Sequence, residues 1–155
     1  MTGKVSSVQH KHMSQDGMGP EATLAKDLVK DKALINGKWV GAESGQSFPV
    51  ENPADFAAIS YVPDMAEKDV QKAIDAAEQA FDGWRTLLPL ERSKILIKWS
   101  KLIEERADDL ARLMTYEQGK PLAEAKGEVL GAAGTIQWCA EEGRRIYGRV
   151  IPARQ

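Results

Sequence analysis

At residue 67 the spacing of the apolar side chains changes, and that change constrains the fold more than any other feature of the chain. Before it, short extended runs sit between turn-forming pairs. After it, apolar residues return every three or four positions, the period of a helix with one buried face. Val70, Ile74, Ala77 and Phe81 line one side of a first predicted helix, which Gly83 is expected to end. Pro89 suits the first turn of a second, because its missing N–H would be unpaired there anyway. The apolar stripe of that helix is Ile95, Trp99, Leu102 and Ile103, and the helix continues or restarts over residues 106–118 with Leu110, Leu113 and Met114 inward. Gly119 is the expected C-terminal cap. A last helix is predicted from Pro121 towards Tyr147, with Leu122, Ala125, Val129, Ala132, Ile136 and Ala140 on one face. Gly127, Gly131, Gly134 and Gly143 interrupt it. Each costs about 0.5–1 kcal/mol against alanine, which implies close packing on another backbone, one that could lie beyond Gln155.

Upstream, Leu34-Ile35 and Trp39-Val40 flank Asn36-Gly37, a pair suited to the positive φ values of a type I′ hairpin turn. Residues 47–51 and 58–62 read as two further extended pieces, closed by Asn52-Pro53 and by Pro63. The expected fold class is therefore α/β, a hairpin and short strands followed by several amphipathic helices. The domain division expected is a flexible N-terminal tail over residues 1–32, and one folded portion over 33–155. Within the tail, residues 21–32 could form a short helix, since Leu24 and Leu28 share a face.

Composition narrows the function classes. A net charge of −2 argues against nucleic acid as a partner, which would need a concentrated basic face. No apolar run approaches the roughly 20 residues needed to cross a bilayer, so no membrane partner is expected. The single cysteine among 155 residues permits no internal disulfide and fits a reducing compartment. The first twenty residues hold Lys4, His10, Lys11 and His12 but no arginine and no continuous apolar stretch. That is the composition of neither a secretory signal nor a mitochondrial presequence, and a cytoplasmic location is expected. Met13 and Met18 are alternative starts.

Residues that could carry chemistry all have a plainer explanation. Cys139 falls deep inside a predicted helix, with no base, cation or helix N-terminus to activate it, and reads as a buried small hydrophobe. His10 and His12 are two imidazoles in a polar tail without further metal ligands. Glu104, Glu105, Asp108 and Asp109 lie among Arg106 and Arg112 at helical spacing, a solvated face with i, i+4 ion pairs, as are Glu141 and Arg145. Gly131 to Gly134 fall inside a helix whose N–H groups are already bonded, so they form no phosphate loop. Trp39, Trp84, Trp99 and Trp138 read as packing residues. Hence no catalytic, cofactor-binding or metal residue is assigned.

The ordered set Ala33-Leu34-Ile35-Asn36-Gly37-Lys38-Trp39-Val40, Val50-Glu51-Asn52-Pro53-Ala54, residues 69–84 and Glu117-Gln118-Gly119-Lys120-Pro121 resembles the N-terminal third of an aldehyde dehydrogenase. Glu117-Gln118-Gly119-Lys120-Pro121-Leu122-Ala123-Glu124-Ala125 and Glu141-Glu142-Gly143-Arg144-Arg145-Ile146-Tyr147-Gly148 are similar to the succinate-semialdehyde branch. Gly131, Gly134, Thr135 and Cys139 depart from that branch in being small, on a helix that borders the substrate entrance in the family.

The resemblance implies a Rossmann-like dehydrogenase domain, NAD or NADP as cofactor, a small aldehyde as substrate and a homo-oligomer when complete. It implies oxidation of succinate semialdehyde, or a similar semialdehyde, through a cysteine thiohemiacetal, hydride transfer and hydrolysis of a thioester. The family's Gly-Gln-x-Cys, Glu-Leu-Gly-Gly and Pro-Trp-Asn-Phe segments do not occur in this sequence, and its cofactor βαβ unit belongs after Gln155. The chain is thus expected to be a truncated portion, inactive alone and marginally stable or aggregation-prone. A non-catalytic module that binds a full-length homologue or another partner is the alternative, and a free-standing helical domain has no site to support it.

Overall fold

Asn36 and Gly37 take φ values of 49° and 71°, and the turn they make closes the first hairpin. Its strands are β1 (Ala33–Ile35) and β2 (Lys38–Val40), antiparallel with Leu34 opposite Trp39. The computed structural model describes residues 24–149. The tail over residues 1–20, with His10 and His12, and the sequence after 149 lie outside them. A second hairpin pairs β3 (Ser47–Glu51) with β4 (Ala58–Pro63), also antiparallel. The two hairpins are separate two-stranded sheets. Pro49 is tolerated in β3 because each strand of a two-stranded sheet has a free edge, where a missing N–H breaks no ladder bond. The 52–57 connection is tied by Asn52 Oδ1 accepting from the Ala54 N–H at 3.0 Å and by the Phe56 N–H donating to the Asn52 carbonyl at 2.8 Å.

Four helices follow: α1 (Glu67–Thr86), α2 (Pro89–Glu105), α3 (Ala107–Gln118) and α4 (Leu122–Glu142). Pro89 occupies the first turn of α2, and Arg106, at φ −107°, breaks it from α3. Gly119 caps α3 in the left-handed conformation, φ 71°, and a Cβ there would lie 3.1 Å from Pro53 Cγ, so the cap also abuts the second turn.

Three element boundaries differ from expectation. Residues 24–32 contain a turn at 26–28 in place of a helix, since Asp27 is held in an ion pair with Arg106 at the α2–α3 break. α1 runs through Gly83 to Thr86. One glycine costs only about 1 kcal/mol, and Thr86 Oγ1 donating to the Asp82 carbonyl at 2.9 Å steadies the last turn. α4 stops at Glu142, where the Gly143 N–H bonds the Cys139 carbonyl at 3.0 Å and the chain unwinds before Tyr147.

The core lies where α4 packs on α2 and α3, and it is built from small residues. Ala107, Ala111, Ala125, Val129, Ala133 and Ala140 are its buried apolar members, and among the described residues nothing larger than valine is buried. Ser93 and Ser100 share it, with the Ser100 hydroxyl donating to the Ala133 carbonyl at 2.8 Å. A side chain reaching a neighbouring backbone directly requires the two helices to lie close, which small side chains permit.

The expected inward stripes are therefore displaced. On α2 the inward residues are Ser93, Leu96, Ile97, Ser100 and Ile103, while Ile95, Trp99 and Leu102 are exposed. On α4 the stripe is Ala125, Val129, Ala133, Ile136 and Ala140, and Leu122 and Ala132 point outward. On α1 all of Val70, Ile74, Ala77 and Phe81 are exposed. Leu110, Leu113 and Met114 of α3 are half-buried.

Candidate functional site

Cys139 is exposed, one position off the buried Ala140 and so about 100° around α4 from the stripe that meets α2 and α3. It is not the buried hydrophobe expected. Helical position, which a short window of sequence leaves ambiguous between neighbouring faces, decided against it. Gly127, Gly131 and Gly134 are also on the open side: a Cβ built on any of them meets nothing within 4 Å. The close backbone neighbour expected of them is absent among the described residues. Gly131 to Gly134 lie within α4, where the N–H groups serve the helix itself, so they do not fit a pyrophosphate. No group of three or more His, Cys, Asp or Glu among the described residues could hold a metal ion.

The acidic residues form a charged surface: Asp109 pairs with the expected arginines at i, i+3 and not i, i+4, Asp108 pairs across to α4, and Glu104 and Glu105 make no ion pair among the described residues. Asp109 accepts from Arg106 at 3.1 Å and Arg112 at 3.3 Å, both three residues away. Asp108 bridges to Lys126 of α4 at 2.7 Å, and that hydrogen bond holds its carboxyl below the usual carboxylate range. Arg145 pairs with Glu142, and Glu141 receives a hydrogen bond from Gln137 at 3.1 Å. Arg106 also grips Asp27 with two bonds, of 2.9 and 3.1 Å, and this fork lowers the Asp27 pKa and raises that of the guanidinium. All of these ion pairs are at least partly exposed, which suits surface pairing and not a sheltered acid or base.

One buried carboxylate escaped the sequence reading. Asp69 accepts from the Ala66 N–H at 3.2 Å and the Glu43 N–H at 3.3 Å, so it fastens the 41–46 loop to the start of α1. Its signal was an acidic residue at the third position of a helix, where it can accept from the capping residue's free N–H. Lys72 reinforces the same junction through Glu43 at 2.7 Å, and that hydrogen bond raises the lysine pKa.

What remains unused is apolar. Trp99 is 55% exposed and Trp138 62%; Trp39 and Trp84 are open as well, so none of the four tryptophans is enclosed by this chain. The stripe of α1 and the outer stripe of α2 are equally open. Large apolar side chains in rows of this kind mark contact surfaces.

Comparison with known proteins gives the context. The sequence model of the aldehyde dehydrogenase family matches residues 39–155. The chain belongs to that family. It is 52% identical over 129 residues to the succinate-semialdehyde dehydrogenase [NADP(+)] of Escherichia coli (strain K12), covering 83% of this chain and 27% of that protein. It is 52% identical over 128 residues to a glutarate-semialdehyde dehydrogenase of Pseudomonas putida, with the same coverage. The crystal structure of an aldehyde dehydrogenase from Brucella melitensis biovar abortus 2308 superposes with a TM-score of 0.83 at 48% identity, over 86% of this chain and 28% of that one. This aldehyde dehydrogenase chain thus spans about a quarter of the length of the relatives it matches, and its mixed α/β arrangement is theirs over that span.

Proposed function

We propose that the chain is the N-terminal portion of an NAD(P)-dependent aldehyde dehydrogenase that oxidises succinate semialdehyde, or a similar semialdehyde, to the carboxylate. The observation that carries this reading is the 52% identity to the Escherichia coli enzyme, sustained across 83% of the chain. In this reading a nicotinamide cofactor accepts the hydride, and no residue of this chain is assigned to hold it. The glycines of α4 lie inside the helix and do not fit its pyrophosphate. The chain's own contribution is a scaffold: two hairpins and four helices, fixed to one another by Asp69, Gly119 and the Arg106–Asp27 fork, that offer apolar faces to further structure.

The reading carries the rest of the expectation with it. The chain alone has no turnover, the complete enzyme is a cytoplasmic homo-oligomer, and the folded portion begins near residue 33. No helix among the described residues is long and apolar enough to cross a membrane.

A chimera tests the proposal. Residues 33–155 of this chain replace the matched segment of the Escherichia coli enzyme, and NADP-dependent oxidation of succinate and glutarate semialdehydes is followed at 340 nm. Turnover within about tenfold of the parent on either substrate is expected. A soluble, oligomeric chimera inert towards both would sink the proposal. A second reading, an interaction module that binds a full-length homologue, is favoured by the open stripes of α1 and α2. Recovery of this chain with the intact Escherichia coli enzyme, in place of its own N-terminal segment, would support it.

A further inference from the structure

α2 has two apolar faces, and the outer one is open. Its inner face, Ser93, Leu96, Ile97, Ser100 and Ile103, lies towards α4. Its outer face carries Ile95, Trp99 and Leu102, and it continues onto Leu88 just before the helix; all four are about half exposed or more. A helix apolar on both sides is one that is covered on both sides. Beside that stripe runs a second row at the same spacing, Lys94, Lys98 and Lys101, all exposed.

We infer that the outer stripe of α2 is the seat for the part of an aldehyde dehydrogenase polypeptide that this chain does not represent, and that this part docks even when supplied as a separate chain. The inference rests on the dehydrogenase reading above and adds to it the surface, the partner and the ability to assemble in trans. The partner face is apolar, with an acidic rim against the lysine row. Two observations favour this occupant over a second copy of the chain. The relatives matched here share only 27% of their length with it, so close to three-quarters of each is available to cover its open faces. The open side chains are also not confined to α2: Val70, Ile74 and Phe81 on α1 are equally exposed. A two-fold contact buries about 800 Å² on each partner, which is one patch, and would set one lysine row near another. A partner more than twice the size of this chain can reach several faces.

The test is co-expression of the full chain with the portion of the Escherichia coli succinate-semialdehyde dehydrogenase that follows its matched segment, the latter carrying an affinity tag. The chain is expected to be recovered about one to one. Trp99→Glu and Ile95→Glu each lower recovery at least tenfold, while the helical circular dichroism of the isolated chain is unchanged, because both side chains already face water. Replacing Lys94, Lys98 and Lys101 together by glutamate lowers recovery severalfold, and raised salt does the same to the parent chain. Failure to recover the parent chain overturns the inference, as does undiminished recovery of both stripe variants. An isolated chain that runs as a dimer, and becomes monomeric on Trp99→Glu, overturns it in favour of a second copy. Recovery without semialdehyde oxidation leaves the docking surface standing and counts against the functional reading alone. An active chimera with no association in trans does the reverse.

Discussion

Ser100 and Trp99 are adjacent in sequence and opposite in fate. Ser100 is 2% exposed and bonded to the Ala133 backbone, while Trp99 stands more than half in water. The fully buried centre of the seam between α2, α3 and α4 is made of alanines, serines and one valine, and it buys proximity of backbones at the expense of buried area. The outer stripes hold isoleucine, leucine, phenylalanine and tryptophan, the residues that yield about 1.5–3 kcal/mol each when buried, and they are open. The seam therefore sets how the helices cross, and the stripes hold most of the hydrophobic stabilisation that this span of the family fold can supply. That stabilisation is realised only on contact with further structure.

The comparison can be broken first at the seam. Ser100→Leu removes the bond to Ala133 and forces bulk between closely spaced helices. It is expected to cost about 2–4 kcal/mol in urea unfolding, or to abolish the cooperative transition; a cost under 1 kcal/mol would show that the seam is loose. Next is the cap that joins helices to hairpin. Gly119→Ala places a Cβ at positive φ and 3.1 Å from Pro53 Cγ, for an expected loss of about 1–2 kcal/mol.

On the open side the sign reverses. Gly131→Ala adds a methyl that meets nothing in this chain, so thermal melting should show a gain of about 0.5–1 kcal/mol from helix propensity. Trp99→Ala in the isolated chain should change stability by less than about 1 kcal/mol, since more than half of the side chain already faces water and little packing is lost. A clear destabilisation would mean that the outer stripe is already covered.

The smallest effect concerns charge at the rim. The Asp27 and Asp108 carboxyls titrate below their ordinary value because Arg106 and Lys126 hydrogen-bond their ionised forms. Depressed carboxylates contribute stability above the ordinary value of 3.8 and lose it as pH falls through the lowered one. A modest drop in melting temperature below pH 4 is expected, and Asp108→Asn should flatten part of it. Exposure and salt screening keep both contributions small.

Elements were legible in the sequence to the extent that their signals are local. The Asn36-Gly37 turn, the strands 47–51 and 58–62, Pro89 at the start of α2 and Gly119 at the end of α3 all follow from the φ preferences and hydrogen-bonding capacity of one or two residues. Which face of a helix turns inward was not legible. α2 and α4 are apolar on more than one side, so their periodicity admits several stripes, and the largest residues were the natural choice for a core. Cys139 and the four tryptophans were misplaced for the same reason. Asp69 was missed because its partners, Ala66 and Glu43, include one 26 residues away.

The sequence by itself determined the order of strands and helices, their turns and caps, and the family to which the chain belongs, because each is written in short-range pattern or in extended identity. Only the tertiary structure decided that the small residues meet and the large ones wait. Packing is a contest between surfaces distant in the chain. Alanine and serine win the helix–helix seam by allowing backbones to approach, and the bulky stripes are left to face whatever covers them.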